Sequence, residues 1–292
     1  MTNRTFPMPP HPYVIHEPQI SSAPLVVDSP HSGRHYPEDF NYICPLPSLR
    51  QTEDSYVDEL VAGAVQAGAT VIAATFARSY IDVNRAEDDI DPSVLAEPWP
   101  FQLQPSDRTL LGLGLVRRLC KSGVPVYAKP LTVAAIEKRI AGYYRPYHEA
   151  LQHVVARCTR QFGECYLVDC HSMPGQGGES APSRRADFVL GDRNGTSADP
   201  SFTRRIRHIL QDMGYSVALN DPYKGVEIVR RHGNPQAGQH ALQLEINRRL
   251  YMNEATLEKT AGFARLRDDL ASFFMLLAEE LRQPGQERMA AE

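Results

Sequence analysis

The stretch "ECYLVDCHSMPGQGGES" at residues 164–180 joins a short apolar run to polar residues that carry chemistry. The apolar residues 166–168 predict a buried strand, and Asp169 and His171 stand at its carboxyl end. The glycines at 175–178 indicate a loop that lets backbone approach a substrate, and we expect it to act as a lid with glycine hinges. The segment therefore predicts a strand that delivers a histidine to the edge of a sheet.

The composition narrows the class of protein. The chain has 292 residues, 42% of them hydrophobic and 23% charged, which is typical of a globular protein. A net charge of -4 and a sequence pI near 6.2 predict neither nucleic-acid nor membrane partners. Five cysteines without a C-x-x-C pair indicate reduced thiols. No signal-peptide pattern and no long apolar run are present, so we expect a cytoplasmic protein.

Predicted strands and helices alternate along most of the chain. The strands are predicted at 24–31, 70–76, 79–84, 164–171, 186–192, 215–220, 226–231 and 240–247. The helices are predicted at about 54–67, 108–121, 132–161, 199–213 and 255–282. This order predicts an α/β fold: a single three-layer domain over 24–285, preceded by an N-terminal arm at 1–23, with a mixed, mostly parallel sheet and helices on both faces.

Several predicted strands end in, or contain, polar residues. Because ligands bind at the carboxyl ends of parallel strands, these residues are expected to share one edge of the sheet. They are His31, Asp54 at the start of a helix, Asn84 with Arg85, His171, and Glu245 inside an apolar strand. Two imidazoles and a carboxylate suit a catalytic zinc, which lowers the pKa of a bound water to about 7. A further carboxylate could move the proton, so the set predicts hydrolysis of an amide next to a carboxylate.

Each of these residues also has a structural interpretation. A lone histidine at a strand end is more often a hydrogen-bonded structural residue than a ligand. Asp54 could be only a helix N-cap, and Arg85 could be only the ion-pair partner of Glu245. A Cys170 nucleophile is disfavoured, because Cys170 and His171 are adjacent in a strand and point to opposite faces.

The motifs together resemble a known family. They are "SPHSG" (29–33), "EDSYVDEL" (53–60), "RSYIDVNR" (78–85), "PYH" (146–148), "DCHSMP" (169–174) and "RHGNPQAGQHALQLEINRRLYM" (231–252). In this order they are similar to the N-formylglutamate amidohydrolase family over roughly residues 25–275, and more distantly to the zinc carboxypeptidases. Carboxypeptidases carry an acidic ligand three residues after the first histidine, where this chain has Arg34. The acidic ligand must come from farther on, from Asp54 or from the neighbouring Glu53.

The resemblance implies hydrolysis of N-formyl-L-glutamate to formate and L-glutamate, in the context of histidine breakdown. It implies zinc, or another divalent metal, held by His31, Asp54 and His171, with Glu245 as the base. Asn84 and Arg85 would bind the α-carboxylate. Further candidates for the side-chain carboxylate or the oxyanion are Arg78, Arg193 and Arg231.

Three alternatives to the formylglutamate reaction stay open: a zinc carboxypeptidase, an N-acyl-amino-acid deacylase of other specificity, and an inactive binding protein of the same fold. Val226 and Glu227 stand where the family has a small residue and a tyrosine, which could reshape the acyl pocket. The sequence does not specify an oligomeric state.

Overall fold

A computed structural model describes residues 11–120, 123–175 and 185–282. It contains a seven-stranded sheet in the order β1-β3-β2-β4-β7-β5-β6. The strands are β1 (Tyr13–His16), β2 (Leu25–Ser29), β3 (Thr70–Ala74), β4 (Cys165–Met173), β5 (Phe188–Gly191), β6 (Val217–Leu219) and β7 (Gln239–Asn247). The pairs β2–β4, β4–β7 and β5–β6 are parallel, whereas β5 and β7 are antiparallel. The predicted α/β class with a mixed, mostly parallel sheet is confirmed.

Eight α-helices accompany the sheet in the described ranges. They are α1 (Leu46–Arg50), α2 (Val57–Val61), α3 (Asp107–Leu110), α4 (Val133–Arg139), α5 (Arg145–Phe162), α6 (Pro200–Asp212), α7 (Glu227–His232) and α8 (Gly262–Arg282). A π-helical turn, Ile140–Tyr144, joins α4 to α5 and completes the helix predicted at 132–161. Within the described ranges, no helix is long and apolar enough to cross a membrane.

The chain divides into two compact units. One unit draws on the ranges Ile15–Ser29, Tyr56–Ile72 and Gln152–Glu292. Its apolar core joins β2, β4, β5 and β7 to α2, α6 and α8. Buried side chains of α8 recur at helical spacing, as at Leu266, Leu270 and Phe273. Each such side chain contributes about 1.5–3 kcal/mol when fully buried, so α8 is a main source of stability in this unit.

The other unit draws on the ranges Met1–Val14, Pro30–Ser55 and Ala73–Leu151. Among its described residues, a cluster of aromatic rings surrounds the buried Arg139. The guanidinium carbon lies 4.2 Å from the ring centroid of Tyr80, and Nη1 donates to the hydroxyl of Tyr127 at 2.6 Å. Cation–π contacts and hydrogen bonds therefore compensate for burying this charge.

Two predicted strands are wrong. Residues 79–84 form turns, because the carboxylate of Asp82 accepts a hydrogen bond from the backbone N–H of Asn84, and such local bonding competes with a ladder. Residues 226–231 lie mostly in helix α7, whose last turn carries Arg230, Arg231 and His232. Basic side chains are favourable at a helix C-terminus, and this signal outweighs the β-branched residues.

Four other boundaries differ from the prediction. The last helix, predicted at about 255–282, begins at Gly262. The helix predicted at 108–121 is reduced to α3, since Gly112 adopts a positive φ of 84° directly after it. The helix predicted at 54–67 begins at Val57, with Tyr56 rather than Asp54 in the N-cap position. The N-terminal arm includes strand β1.

Three further predictions concern the cysteines, the glycine loop and the bounds of the catalytic domain. All five cysteines are free, in keeping with the predicted reduced thiols, and the structure shows that all five are buried. Residues 176–178 of the glycine loop lie outside the described residues, so their role as a lid stays a prediction. The assignment of 24–285 to a single catalytic domain also stays a prediction.

Candidate active site

Strands β4 and β7 place four polar side chains on one face of the sheet. His171 pairs with Glu245 and Asp169 pairs with Gln243 in the parallel register. Side chains two residues apart on a strand point to the same face, so all four share it. We call this set the β4–β7 ladder. The backbone hydrogen bonds of two nine-residue strands fix its geometry.

Within the β4–β7 ladder each carboxylate lies next to a polar side chain of the same strand. His171 Nε2 lies 2.9 Å from Asp169 Oδ1. Glu245 is 6% exposed, and its Oε1 accepts a hydrogen bond of 2.8 Å from the Gln243 amide. A carboxylate buried to this extent is costly unless it is paired or has a chemical role. Glu245 is therefore a buried carboxylate held beside a histidine.

A second group of polar side chains surrounds His31, two residues after the end of β2. His31 Nε2 lies 2.7 Å from Asp82 Oδ1, and His31 Nδ1 lies 3.2 Å from Asp54 Oδ2. The backbone N–H of Asp54 donates to the carbonyl oxygen of His31 at 3.1 Å, which fixes Asp54 next to the imidazole. Tertiary hydrogen bonds, rather than a strand, hold this histidine.

Arginines complete this group, which we call the Asp82 network: His31, Asp54, Arg78, Asp82 and Arg117. Arg78 donates to Asp82 Oδ2 through Nε at 3.2 Å and Nη2 at 2.8 Å. Arg117 Nη2 lies 3.6 Å from the same oxygen. Burial favours the neutral carboxyl of Asp82, but Arg78 and His31 outweigh it and hold its pKa well below the ordinary value. Burial lowers the pKa of His31, so its imidazole is neutral at pH 7 and can act as a ligand.

Glu53 and Asp54, the two candidate acidic ligands, differ in their surroundings. Glu53 is buried and accepts a hydrogen bond from the hydroxyl of Tyr36. Burial raises the pKa of Glu53 to about 7, so its carboxyl keeps a proton part of the time at neutral pH. Asp54 instead faces His31 and Arg78. Its surroundings favour the ionised carboxylate that a metal requires.

Three of the predicted residues form a group that could hold a metal ion. One ligand atom each from His31, Asp54 and His171 all lie within 4.8 Å of one another, and the three residues are buried. Two ligands of a tetrahedral zinc lie roughly 3.4 Å apart, given bonds of about 2.1 Å. The 3.2 Å between His31 and Asp54 is close to this separation. Two imidazole nitrogens and one carboxylate oxygen are the donors of catalytic zinc sites, so the residues fit a divalent ion.

Comparison with known proteins decides the family. A sequence model described as N-formylglutamate amidohydrolase matches residues 23–252. The chain belongs to the N-formylglutamate amidohydrolase family.

Individual members of the family agree over most of their length. The N-formylglutamate deformylase of Pseudomonas putida is 31% identical over 89% of this chain and 91% of its own. That of Pseudomonas aeruginosa is 30% identical over 91% of this chain and 96% of its own. The crystal structure of an N-formylglutamate amidohydrolase from Ralstonia eutropha JMP134 has a TM-score of 0.89 and 44% identity, covering 93% of this chain and 98% of that one.

The predicted substrate-binding residues of this amidohydrolase lie in different surroundings. Asn84 and Arg85 are buried in the turn after Asp82, and Arg85 Nε donates to the carbonyl oxygen of Leu113 at 3.0 Å. Arg78 belongs to the Asp82 network. Arg193 is half-buried after β5 with a positive φ of 53°, whereas Arg231 is exposed on α7. Their substrate roles stay predictions.

Three residues of the site were not predicted from the sequence. Asp82 lies in the quoted motif "RSYIDVNR" and would have been found by the reasoning applied to Glu245, a carboxylate in an apolar run. Arg248 follows β7 and donates through Nε to Ser172 Oγ at 2.9 Å. Arg117 stands in "GLGLVRR", where nothing in the local pattern indicates burial.

Proposed function

We propose that this amidohydrolase uses a divalent metal to hydrolyse N-formyl-L-glutamate to formate and L-glutamate. The observation that carries the proposal is the buried group of His31, Asp54 and His171. The names of the Pseudomonas relatives support the choice of substrate. A role in histidine breakdown and a cytoplasmic location stay predictions.

The proposed ligands are His31, Asp54 and His171, and the proposed metal is zinc. A zinc ion bound there would polarise the formyl carbonyl and lower the pKa of a bound water to about 7. Asp82 supports His31 from behind, since its Oδ1 lies 2.7 Å from Nε2 in a hydrogen bond. Such a partner fixes the tautomer and the orientation of a ligating histidine. Asp169 Oδ1 lies 2.9 Å from Nε2 of His171 without forming a hydrogen bond.

Glu245 is the proposed general base and acid. The amide of Gln243 holds its carboxylate, and the pairing with His171 places it beside a proposed ligand. Glu245 would accept a proton from the attacking water as the new C–O bond forms. It would return that proton to the amine nitrogen as the C–N bond breaks, so formate and L-glutamate leave with all atoms accounted for.

The arginines are proposed to bind the substrate carboxylates. Asn84 and Arg85 would take the α-carboxylate, because a guanidinium and an amide together offer a fork of donors. Candidates for the oxyanion or for the side-chain carboxylate are Arg78, Arg193 and Arg231. Arg78 holds Asp82 through Nε and Nη2, and its Nη1 lies 3.6 Å from Oδ2 of the proposed ligand Asp54.

A panel of substrates tests the proposal. Purified protein should release glutamate from N-formyl-L-glutamate at least about 100-fold faster than from its N-acetyl and N-succinyl analogues, since the extra methylenes of these acyl groups must fit a small pocket. Faster turnover of the larger acyl groups would favour a deacylase, and turnover of dipeptides a carboxypeptidase. Bound metal with no turnover of any substrate would favour an inactive binding protein.

A further inference from the structure

Arg117 is a buried cation for which none of the roles above accounts. The residue is 8% exposed, and its Nε has no hydrogen-bond partner among the described residues. Its contact with Asp82, 3.6 Å from Nη2, is longer than a hydrogen bond. A guanidinium carries five donors, and leaving them unmatched away from water is costly. Packing and stability alone give no reason for an arginine here.

Arg117 lies among several buried charges. Besides burial, the strongest influences on it are Arg78 and Arg85, which repel it, and Asp82 and Asp54, which attract it. Burial, and secondarily Arg78, lower the pKa of Arg117 to about 9, so it stays charged at neutral pH. Asp82, its partner at 3.6 Å, also forms hydrogen bonds with Arg78 and His31. An anionic ligand would give Arg117 a counter-charge that it does not share.

Arg117 differs from its neighbours in the use of its donors. Arg78 donates to Asp82 through two nitrogens, and Arg85 donates through Nε to the carbonyl oxygen of Leu113. The adjacent Arg118 forms an ion pair with Asp91, with Nε 2.7 Å from Oδ2. The carboxylate of Asp82 contacts both Arg117 and His31, so Arg117 lies close to the metal group. A planar fork of donors at this position matches a carboxylate.

We propose that Arg117 binds the side-chain carboxylate of the acylated amino acid and so sets the preference for an acidic residue. The inference rests on the proposed function and deepens it, because Asn84 and Arg85 account for one carboxylate and a diacid has two. A substrate with a neutral side chain would leave Arg117 with Asp82 as its counter-charge, at 3.6 Å and shared with Arg78.

The test compares two substrates on each of four proteins. N-formyl-L-glutamate and N-formyl-L-glutamine differ only in the charge and donors of the side-chain end. For Arg117→Met we expect kcat/KM to fall on the order of 100-fold with the glutamate substrate, as for a lost charged hydrogen bond, and less than about 3-fold with the glutamine substrate. Arg117→Lys should keep part of the preference. The matched control Arg118→Met should behave as the unaltered protein.

The ratio of the two substrates carries the result, because a loss of folded protein lowers both values alike. An Arg117→Met protein that keeps the preference for glutamate would overturn the inference. Failure of the unaltered protein to deformylate either substrate would instead reject the proposed function. Calorimetric binding of L-glutamate and L-glutamine to the unaltered protein and Arg117→Met would then decide the inference alone: it requires a glutamate preference that the variant loses.

Discussion

The two histidines of the metal group are held in place by different means. His171 lies within strand β4, and the backbone hydrogen bonds to β7 fix its position. His31 lies outside any strand, and its place depends on the side chains of Asp54 and Asp82. A ladder keeps its geometry when one side chain changes. A buried charge network does not, because each member compensates for the burial of the others.

Because of this difference, we expect substitutions in the two regions to affect activity and stability differently. Substitutions in the β4–β7 ladder should remove activity and leave the folded protein largely intact. Substitution of Asp82, which contacts His31, Arg78 and Arg117, should lower both the affinity for metal and the free energy of unfolding. Two experiments probe this contrast, and a third concerns a buried histidine outside both regions.

The largest effect is expected for Glu245→Gln. The glutamine keeps an oxygen that can accept the amide hydrogen bond of Gln243, but it cannot accept a proton. We expect kcat to fall about 10³-fold, within the range typical of a general base, with bound zinc and thermal stability unchanged. Rate assays, metal analysis and thermal unfolding measure the three quantities. Loss of the metal along with the activity would contradict the role assigned to Glu245.

The next effect concerns Asp82→Asn, with Asp169→Asn as the matched variant in the ladder. Either substitution should weaken zinc binding about 10- to 100-fold, since each removes a carboxylate beside an imidazole. Only Asp82→Asn should also lower the free energy of unfolding, on the order of 3 kcal/mol, because it removes the buried carboxylate that pairs with both Arg78 and Arg117.

Urea denaturation of the zinc-free proteins, with competitive chelation for the affinities, measures both quantities. No arginine contacts Asp169 in the part of the chain that the structure describes. Equal loss of stability in the two variants would mean that the contrast between ladder and network is wrong.

The smallest effect concerns His232, a buried histidine of α7 outside the metal group. Burial, and secondarily Arg231, lower the pKa of His232 to about 3. As the pH falls, His232 is therefore protonated near pH 6.5 in the unfolded chain but only near pH 3 in the folded protein. The contribution to stability is complete above pH 6.5 and is lost as the pH falls from there, by about 2 kcal/mol at pH 5.

Urea denaturation of the zinc-free protein at pH 7.5, 6 and 5 measures this loss. His232→Gln should remove that part of the pH dependence, whereas His208→Gln, on the exposed face of α6, should not. Identical pH dependence in the unaltered protein and His232→Gln would show that His232 takes up protons as readily in the folded state as in the unfolded one.

The sequence predicted the two regions unequally, and the reason is physical. In β4 and β7 the apolar residues lie close together in the chain, at 165–168 and at 241, 242, 244 and 246, so the strands and their polar residues could be found from local pattern. In the Asp82 network the decisive contacts join residues far apart in the chain, such as His31 and Asp82, and no local periodicity encodes them. Arg117 was not predicted for the same reason, since its contact with Asp82 joins residues far apart in the chain. The turn at 79–84 was mistaken for a strand because its apolar residues are buried by tertiary contacts.

The most direct test of the central claim is metal analysis of the purified protein beside His171→Ala, with deformylation of N-formyl-L-glutamate assayed on both. We predict about one zinc per chain in the unaltered protein, and loss of both metal and activity in the variant with its fold retained. A variant that keeps its metal and its activity would contradict the assignment of His171. Unaltered protein that deformylates without metal, after purification free of chelators, would contradict the mechanism as a whole.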